Sequence, residues 1–392
     1  MLYIIDGSSL LTTMFYANLP KEILFAKETS EKEKYYYKIL KTKDGIYTNA
    51  VFGFFRSLLK ILGNQRPEYL AVCWDLSRET FRKKLYGEYK ANRSETPEPL
   101  KSQFALCQEM LDKMGIKQFM SSEFEADDFC GSLSAKFEGY VPVGIMTKDN
   151  DYLQLASERT VIFMMHATAA KTEELYSKYD MKREDFPQAP ERTFPFTPEL
   201  IEKEFGVRAC NINSLKGLMG DSSDNIKGVP GIGPVTAAVL IHEYHTVDEL
   251  YKVFAGADEK ELKQIAGDFK DRLGIRRSPI GYLLKKSDTE LVGEAAARLS
   301  EELATIKRDI PLNAELSDLK TDINIDGMKQ EFMRMEFNSK EFTNLDNIGN
   351  ETPRKVYSQE NKEDLNPGSQ DFNDSDFEDF DFEKEDGNPF EK

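Results

Sequence analysis

Histidine and cysteine are scarce in this 392-residue chain, which holds three of the first and four of the second. The cysteines, Cys73, Cys107, Cys130 and Cys210, stand far apart without a CxxC pair or a Cys/His zinc spacing, so reduced structural thiols are expected. The histidines, His166, His242 and His245, all lie away from the acidic motifs described below. That disfavours both a zinc site and histidine as the general base. Long apolar runs are missing too: none approaches the roughly 20 residues of a membrane span. The N-terminal MLYIIDGSS has neither a basic n-region nor an h-region of secretory length. The expectation is a cytoplasmic protein, or one of a host cell's cytoplasm if phage-encoded, with no membrane partner.

Positive charge is also short, with 52 Lys and Arg against 69 Asp and Glu, a net of −17. A deficit of this size argues against a polyanionic partner, because phosphate binding draws on Lys and Arg. The location of the charge removes that objection. Residues 351–392 carry 14 acidic and 5 basic residues, which leaves only −8 on residues 1–350. The same tail, with DFNDSDFEDFDFEKED at its centre, has too few aliphatic side chains to offset the entropy of ordering, and a disordered acidic tail is expected there. Its alternating Phe and acidic residues suit docking on a replication protein, or simple solubilisation.

Four short β-branched-rich runs, residues 2–5, 69–74, 141–146 and 160–165, read as buried parallel strands. Between them, residues 52–62, 101–114 and 124–137 space apolar side chains by three and four, as amphipathic helices do. Strands alternating with helices predict an α/β fold with a doubly wound, mainly parallel sheet. From about residue 197 only short helical patterns follow, at 198–205, 211–219, 234–244 and 247–254. Residues 167–195 hold prolines and mixed charge and read as a long loop or linker. The expected organisation is an α/β domain over 1–196, a helical domain over 197–310, a segment over 311–350 returning to the α/β core, and the tail from 351.

The acidic residues fall where an α/β sheet presents its ligand crevice. Asp6 follows the first strand, Asp75 the second, and Asp149 with Asp151 the third expected strand. Glu125, Asp127 and Asp128 open a helix in FEADDFCG, with Glu125 and Asp128 on one face. Asp221 and Asp224, in GLMGDSSDNI, add two more. Taken singly, each reads more readily as a helix cap or a first-turn residue complementing the helix dipole than as a ligand. Together they would repel one another unless cations lay between them, and oxygen ligands without imidazole or thiolate suit Mg²⁺ or Mn²⁺.

Two further features concern phosphate. GVPGIGP at 228–234, ahead of VTAAVLIHEY, has the form of a helix–hairpin–helix: Gly228, Gly231 and Gly233 let the backbone approach, and the next helix offers free amides. An ordinary tight turn is the plainer alternative. Residues 78–93, RETFRKKLYGEYKANR, interleave Arg82, Lys83, Lys84, Lys90 and Arg93 with Phe81, Tyr86 and Tyr89, a mixture suited to single-stranded nucleic acid or to a solvated amphipathic helix.

The strings IIDGSSLL, VCWD, TFRKKLYGEYKANR, FEADDF, TKDND, LMGDSSDNI and GVPGIGPVTAAVLI, in that order, resemble the 5′-nuclease domain of bacterial DNA polymerase I and related flap endonucleases. The likeness spans about residues 1–250, and RDIPL near 310 extends it to about 340. The resemblance implies a PIN-like, resolvase-like catalytic fold with a helix-3-turn-helix, and two metal ions. One would lie on the Asp6, Asp75, Glu125 and Asp127 side, the other on the Asp128, Asp149, Asp151, Asp221 and Asp224 side. It implies that Tyr89, Lys90 and Arg93 belong to an arch through which a free 5′ end passes, and that K⁺ binds at the hairpin. Three departures stand out: Lys148-Asp149-Asn150-Asp151 replaces the common Gly-Asp-Lys-Asp, residues 21–43 and 167–195 form longer loops, and no polymerase segment follows. The expectation from the last is a stand-alone, monomeric nuclease with a phage source left open, and the loops are free to alter substrate choice.

The expected activity is metal-dependent 5′-3′ exonuclease and 5′-flap endonuclease cleavage of DNA with a flap, a nick or a free 5′ end, in replication or repair. A phage-type RNase H acting on RNA–DNA hybrids is the alternative within the same fold, and a non-catalytic junction-binding protein the alternative outside it.

Overall fold

A computed structural model describes residues 1–166, 168–343, 345 and 348. The expected disordered tail, 351–392, lies outside the described residues.

The sheet has six strands: β1 Leu2–Asp6, β2 Tyr69–Asp75, β3 Lys117–Ser121, β4 Val143–Thr147, β5 Thr160–Met165 and β6 Thr193–Phe196. Their order is β3-β2-β1-β4-β5-β6, and every pairing is parallel except β5 with β6. The expected doubly wound, mainly parallel sheet is therefore present, with two strands more than the patterning predicts. Lys117–Ser121 is an edge strand whose KQFMS buries one side chain fully, so it lacks an apolar run. Thr193–Phe196 lies in the stretch expected to be a linker, and Pro195 fits there because the strand pairs on one side only. That expectation is corrected further by a helix at Ala169–Lys178.

Both faces of the sheet are covered, as alternation along a strand requires. Tyr3 and Ile5 point to helices α1 (Gly7–Ala17), α2 (Asn49–Lys60) and α3 (Glu98–Lys113), packing with Phe15, Phe54, Phe55 and Met110. Leu2 and Ile4 point the other way, to α4 (Ala126–Phe137) and into one continuous core with α5 (Ile212–Met219), α6 (Pro234–Tyr244) and α7 (Gly293–Ala304). The helical portion thus shares its hydrophobic core with the second face of the sheet. Strand order reverses between β1 and β4, so the crevice beyond their carboxyl ends is the expected ligand site.

Helix α8 (Ile325–Arg334) returns to the first face, where its Phe332 ring lies 5.7 Å from Phe55 and 4.8 Å from Phe342. Lys113 of α3 bonds Glu331 at 2.9 Å beside it. Among the described residues no helix is long and apolar enough to cross a membrane. Phe332 is 1% exposed, so Phe332→Ala is expected to destabilise the protein by about 3–5 kcal/mol in urea unfolding. A change below about 1 kcal/mol would show that α8 contributes little to the core.

Candidate active site

A cleft of about 2430 Å³ opens at the carboxyl end of the sheet, and Asp6, Asp75, Glu125, Asp127, Asp149 and Asp221 all line it. Each is fixed by backbone geometry that follows from its place in the chain. Asp6 ends β1 and caps α1, accepting from the Ser9 amide at 2.9 Å and the Thr147 hydroxyl at 2.8 Å. Asp75 ends β2 and accepts from the Ala126 amide at the start of α4, also at 2.9 Å. Asp149 follows β4 and accepts from the Asp151 amide at 2.9 Å. The capping and site readings are therefore not rivals, because capping holds these carboxylates at the cleft floor.

Two lysines and an arginine stand among the acids. Lys90 Nζ lies 2.5 Å from Glu125 and 3.5 Å from Asp224. Arg93 also bonds Asp224, and the Tyr89 hydroxyl reaches both Glu125 and Asp224 at 3.2 Å. Across the cleft Lys216 bonds Asp221 at 2.6 Å and pairs with Asp151. The segment carrying Lys90 docks on the loop carrying Asp224: Lys90 has φ 54°, and its amide donates to the Asp224 carbonyl at 2.9 Å. Asn225 and Asn92 fasten the same contact to Glu88 and Ser222.

The charges divide by partner. Burial opposes ionisation of Glu125 and Asp221, but Lys90 with Arg82 and Lys216 respectively outweigh it and hold both acids well below the usual range. Burial raises three others, Asp6, Asp127 and Asp149. Asp6 is pushed up to about 7, by burial and then by the charge of Asp75. Asp127 rises by burial against the pull of Arg82, and Asp149 rises by loss of water in the cleft against that of Lys216. Ionised Asp6, Asp127 and Asp149 thus lack full compensation from the protein. Among the described residues no three His, Cys, Asp or Glu side chains already stand in ligand spacing.

Several sequence-based assignments need correction. Asp128 is fully buried and does not face the cleft: it accepts a bidentate pair from Arg82 at 2.8 and 2.9 Å, the Lys307 amide at 2.8 Å and the Glu125 amide at 3.1 Å. With its oxygens so engaged it is a structural anchor rather than a cation ligand. Arg82, 1% exposed, also donates to the carbonyls of Leu303 and Thr305, so it is not available to DNA. Tyr89 is 3% exposed and its ring is not free to stack on a base. Gly228 is buried, and a Cβ there would sit 2.3 Å from the Gly220 nitrogen, so this glycine serves packing rather than phosphate approach. Asp151 and Asp224 are buried beside the cleft, behind their cations. Lys83 lines the cleft, Lys84 is exposed outside it, and Gly231 and Gly233 are exposed at the hairpin turn.

Two family models match the chain: the N-terminal resolvase-like domain of 5′-3′ exonucleases over residues 1–180, and their C-terminal SAM fold over residues 207–326. The chain belongs to the 5′-3′ exonuclease family. Relatives include DNA polymerase I of Bacillus subtilis (strain 168), 30% identical over 321 residues, covering 81% of this chain and 29% of that protein. DNA polymerase I of Bacillus caldotenax is 34% identical over 320 residues, again 81% of this chain and 29% of that protein. The chain thus spans under a third of the length of these relatives. Among solved structures, T5 5′-exonuclease with bound zinc ions is similar with a TM-score of 0.46 and 18% identity, over 88% of this chain and 98% of that one.

Within this 5′-3′ exonuclease fold the sequence reading misses Lys216 and the hydroxyls that orient the acids. Lys216 lies between Leu215 and Leu218 on a core-facing helix and is only 8% exposed, a burial that the sequence pattern does not signal. Thr147 ends β4 and Thr80 bonds Glu125 at 2.7 Å, both as polar residues at element ends. The buried Arg82–Asp128 pair yields a test. Removing one partner strands a buried charge, so Arg82→Met or Asp128→Ala is expected to cost about 3–5 kcal/mol in urea unfolding. The double variant is expected to cost less than the two single costs combined, as shared contact requires. Full additivity, or loss of cleavage with undiminished stability, would return Asp128 to the cation-binding set.

Proposed function

We propose that this protein is a metal-dependent 5′-nuclease that hydrolyses phosphodiesters near the 5′ end of a strand, at DNA flaps, nicks or primed junctions in replication or repair. The observation that carries the reading is the convergence of acids from the ends of β1, β2 and β4, the start of α4 and the 221–224 loop on one cleft, with Lys90 and Arg93 opposite.

The donor set fits hard divalent cations. It consists of carboxylate oxygens, and Asp6, Asp127 and Asp149 have ionised forms that the protein alone leaves under-compensated. Asp6, Asp75, Glu125 and Asp127 would hold one Mg²⁺, and Asp149, Asp151, Asp221 and Asp224 a second, with Mn²⁺ as a substitute. Such ions supply an activated water and stabilisation of the leaving oxygen.

The chain's own residues have separate tasks. Lys90 and Arg93 present positive charge where the phosphoryl oxygens gain negative charge, and the two acids they contact hold them aimed at the cleft. The Tyr89 hydroxyl fixes the orientation of Glu125 and Asp224. Lys216 keeps Asp221 ionised. The hairpin turn with exposed Gly231 and Gly233, ahead of the free first-turn amides of α6, suits backbone contact with a duplex regardless of sequence.

End-labelled 5′-flap, nicked, 3′-flap and RNA–DNA hybrid duplexes, each with Mg²⁺, Mn²⁺ or excess chelator, test the proposal. Cleavage of the 5′-flap is expected to vanish in chelator and return with either metal. Preferred cleavage of the hybrid would move the substrate to RNA primers, and binding without cleavage in any metal would leave a junction-binding protein. Lys90→Met is expected to lower the single-turnover rate on the order of 10²-fold with little change in Kd, since its charge acts chiefly on the transition state. The Asp127→Asn, Asp149→Asn double variant is expected to abolish turnover while duplex affinity in Ca²⁺ stays equal or rises. Near-parental cleavage by that variant would refute the assigned acids.

A further inference from the structure

The segment between the helix Glu259–Asp271 and α7 belongs to neither the cleft nor the hairpin, yet it is built onto the hairpin turn. Leu283 is fully buried and Ile275 nearly so, and the Tyr251 hydroxyl donates to the Leu283 carbonyl at 3.1 Å. The segment is thereby held to the helical core at Ile275 and again at the end of its short helix, Ile280–Leu283. From that helix the Tyr282 ring lies against one side of the exposed Gly231, so closely that a Cβ on the glycine would lie 2.5 Å from the ring. Gly231 also has φ +97°, so backbone conformation and ring contact both require glycine. The Arg277 guanidinium sits 5.5 Å from the Tyr282 ring centroid, within cation–π range.

The cations on and around this segment divide into paired and unpaired ones, and Lys260, Lys263 and Lys270 of the preceding helix are also exposed without an ion pair among the described residues. Arg272 bonds Glu243 and Asp268, Arg298 bonds Asp248 and Glu294, and Lys285 bonds Glu290. Arg276, Arg277 and Lys286 are exposed and form no ion pair among the described residues. Of the three, Arg277 is tied to the turn through the Tyr282 ring on Gly231, and Arg276 adjoins it on the same anchored segment. Their complement is a regular row of negative charge extending past the contact that the turn itself makes.

We propose that Arg276, Arg277 and Lys286 form a second phosphate-binding station for duplex DNA, set by Tyr282 against the hairpin turn so that one duplex runs across both. The inference rests on the reading of the hairpin as a duplex-binding element. It assigns to this segment a share of affinity that is ionic, independent of base sequence and separate from the cleft.

The test measures Kd for a blunt duplex by fluorescence anisotropy in Ca²⁺ over a series of salt concentrations. It compares the parental protein, an Arg276→Ala, Arg277→Ala, Lys286→Ala triple variant, and a charge-matched Lys260→Ala, Lys263→Ala, Lys270→Ala control on the preceding helix. Circular dichroism and thermal melting establish that each is folded. The segment variant is expected to bind on the order of 10-fold more weakly near 0.1 M salt, and its slope of log affinity against log salt to fall by about 2–3, since each B-DNA phosphate contact contributes about 0.9. The control is expected to retain the parental slope. An unchanged slope in the segment variant, or an equal fall in the control, overturns the station while leaving the hairpin reading intact. Failure of the parental protein to bind duplex overturns both.

Discussion

The buried guanidinium of Arg82 ties the parts of the site to one another. Its donors satisfy Asp128 at the start of α4 and the carbonyls of Leu303 and Thr305 at the end of α7, while its own short helix, Phe81–Leu85, leads into the segment that carries Lys90. A buried charge of this kind is tolerated only when its hydrogen-bonding groups are met, which makes the arrangement singular rather than merely favourable. Asp128 in turn takes the Lys307 amide, so the junction closes from both sides. The relative placement of sheet, basic segment and helical portion, on which the cleft depends, is set where no solvent reaches.

Around that anchor the governing constraint is charge. A parallel sheet brings the carboxyl ends of β1, β2 and β4 to one edge, and an aspartate near each end crowds like charges. The chain answers with Lys90 from the segment after β2 and Lys216 from α5, elements remote from the strands in sequence. These lysines keep Glu125 and Asp221 ionised but leave Asp6, pressed by burial and by Asp75, short of compensation. The imbalance is local, and it falls where the proposed phosphodiester chemistry would require cations.

Much of this was legible in the sequence, and for identifiable reasons. Strands buried on both faces appear as unbroken apolar runs, so the four central ones and the edge they share could be read, along with the acids that follow them. Lys117–Ser121 and Thr193–Phe196 could not, because an edge strand buries less and carries residues common in loops. Among the acids, patterning could not separate Asp127 from Asp128: adjacent residues of one type differ only in which way the helix turns them, and only Asp127 faces the cleft. Arg82 was misread for the same reason. A cation in a run of cations reads as surface until the structure shows one member turned inward to a partner 46 positions away. Lys216 was missed because a lone lysine among leucines carries no periodic signal.

The same distinction bears on how a chain of net charge −17 can meet a polyanion. Net charge sums cations already neutralised by neighbours with those that are not, whereas a phosphate at contact distance responds chiefly to charge within a Debye length, about 8 Å at physiological salt. Arg272 and Arg298 count fully in the sum yet present little free charge, because carboxylates lie on them. Arg276, Arg277 and Lys286 count no more in the sum but stand exposed and form no ion pair among the described residues. Binding competence is therefore a property of which cations the fold leaves unpaired and where it sets them, and an acidic composition does not exclude it.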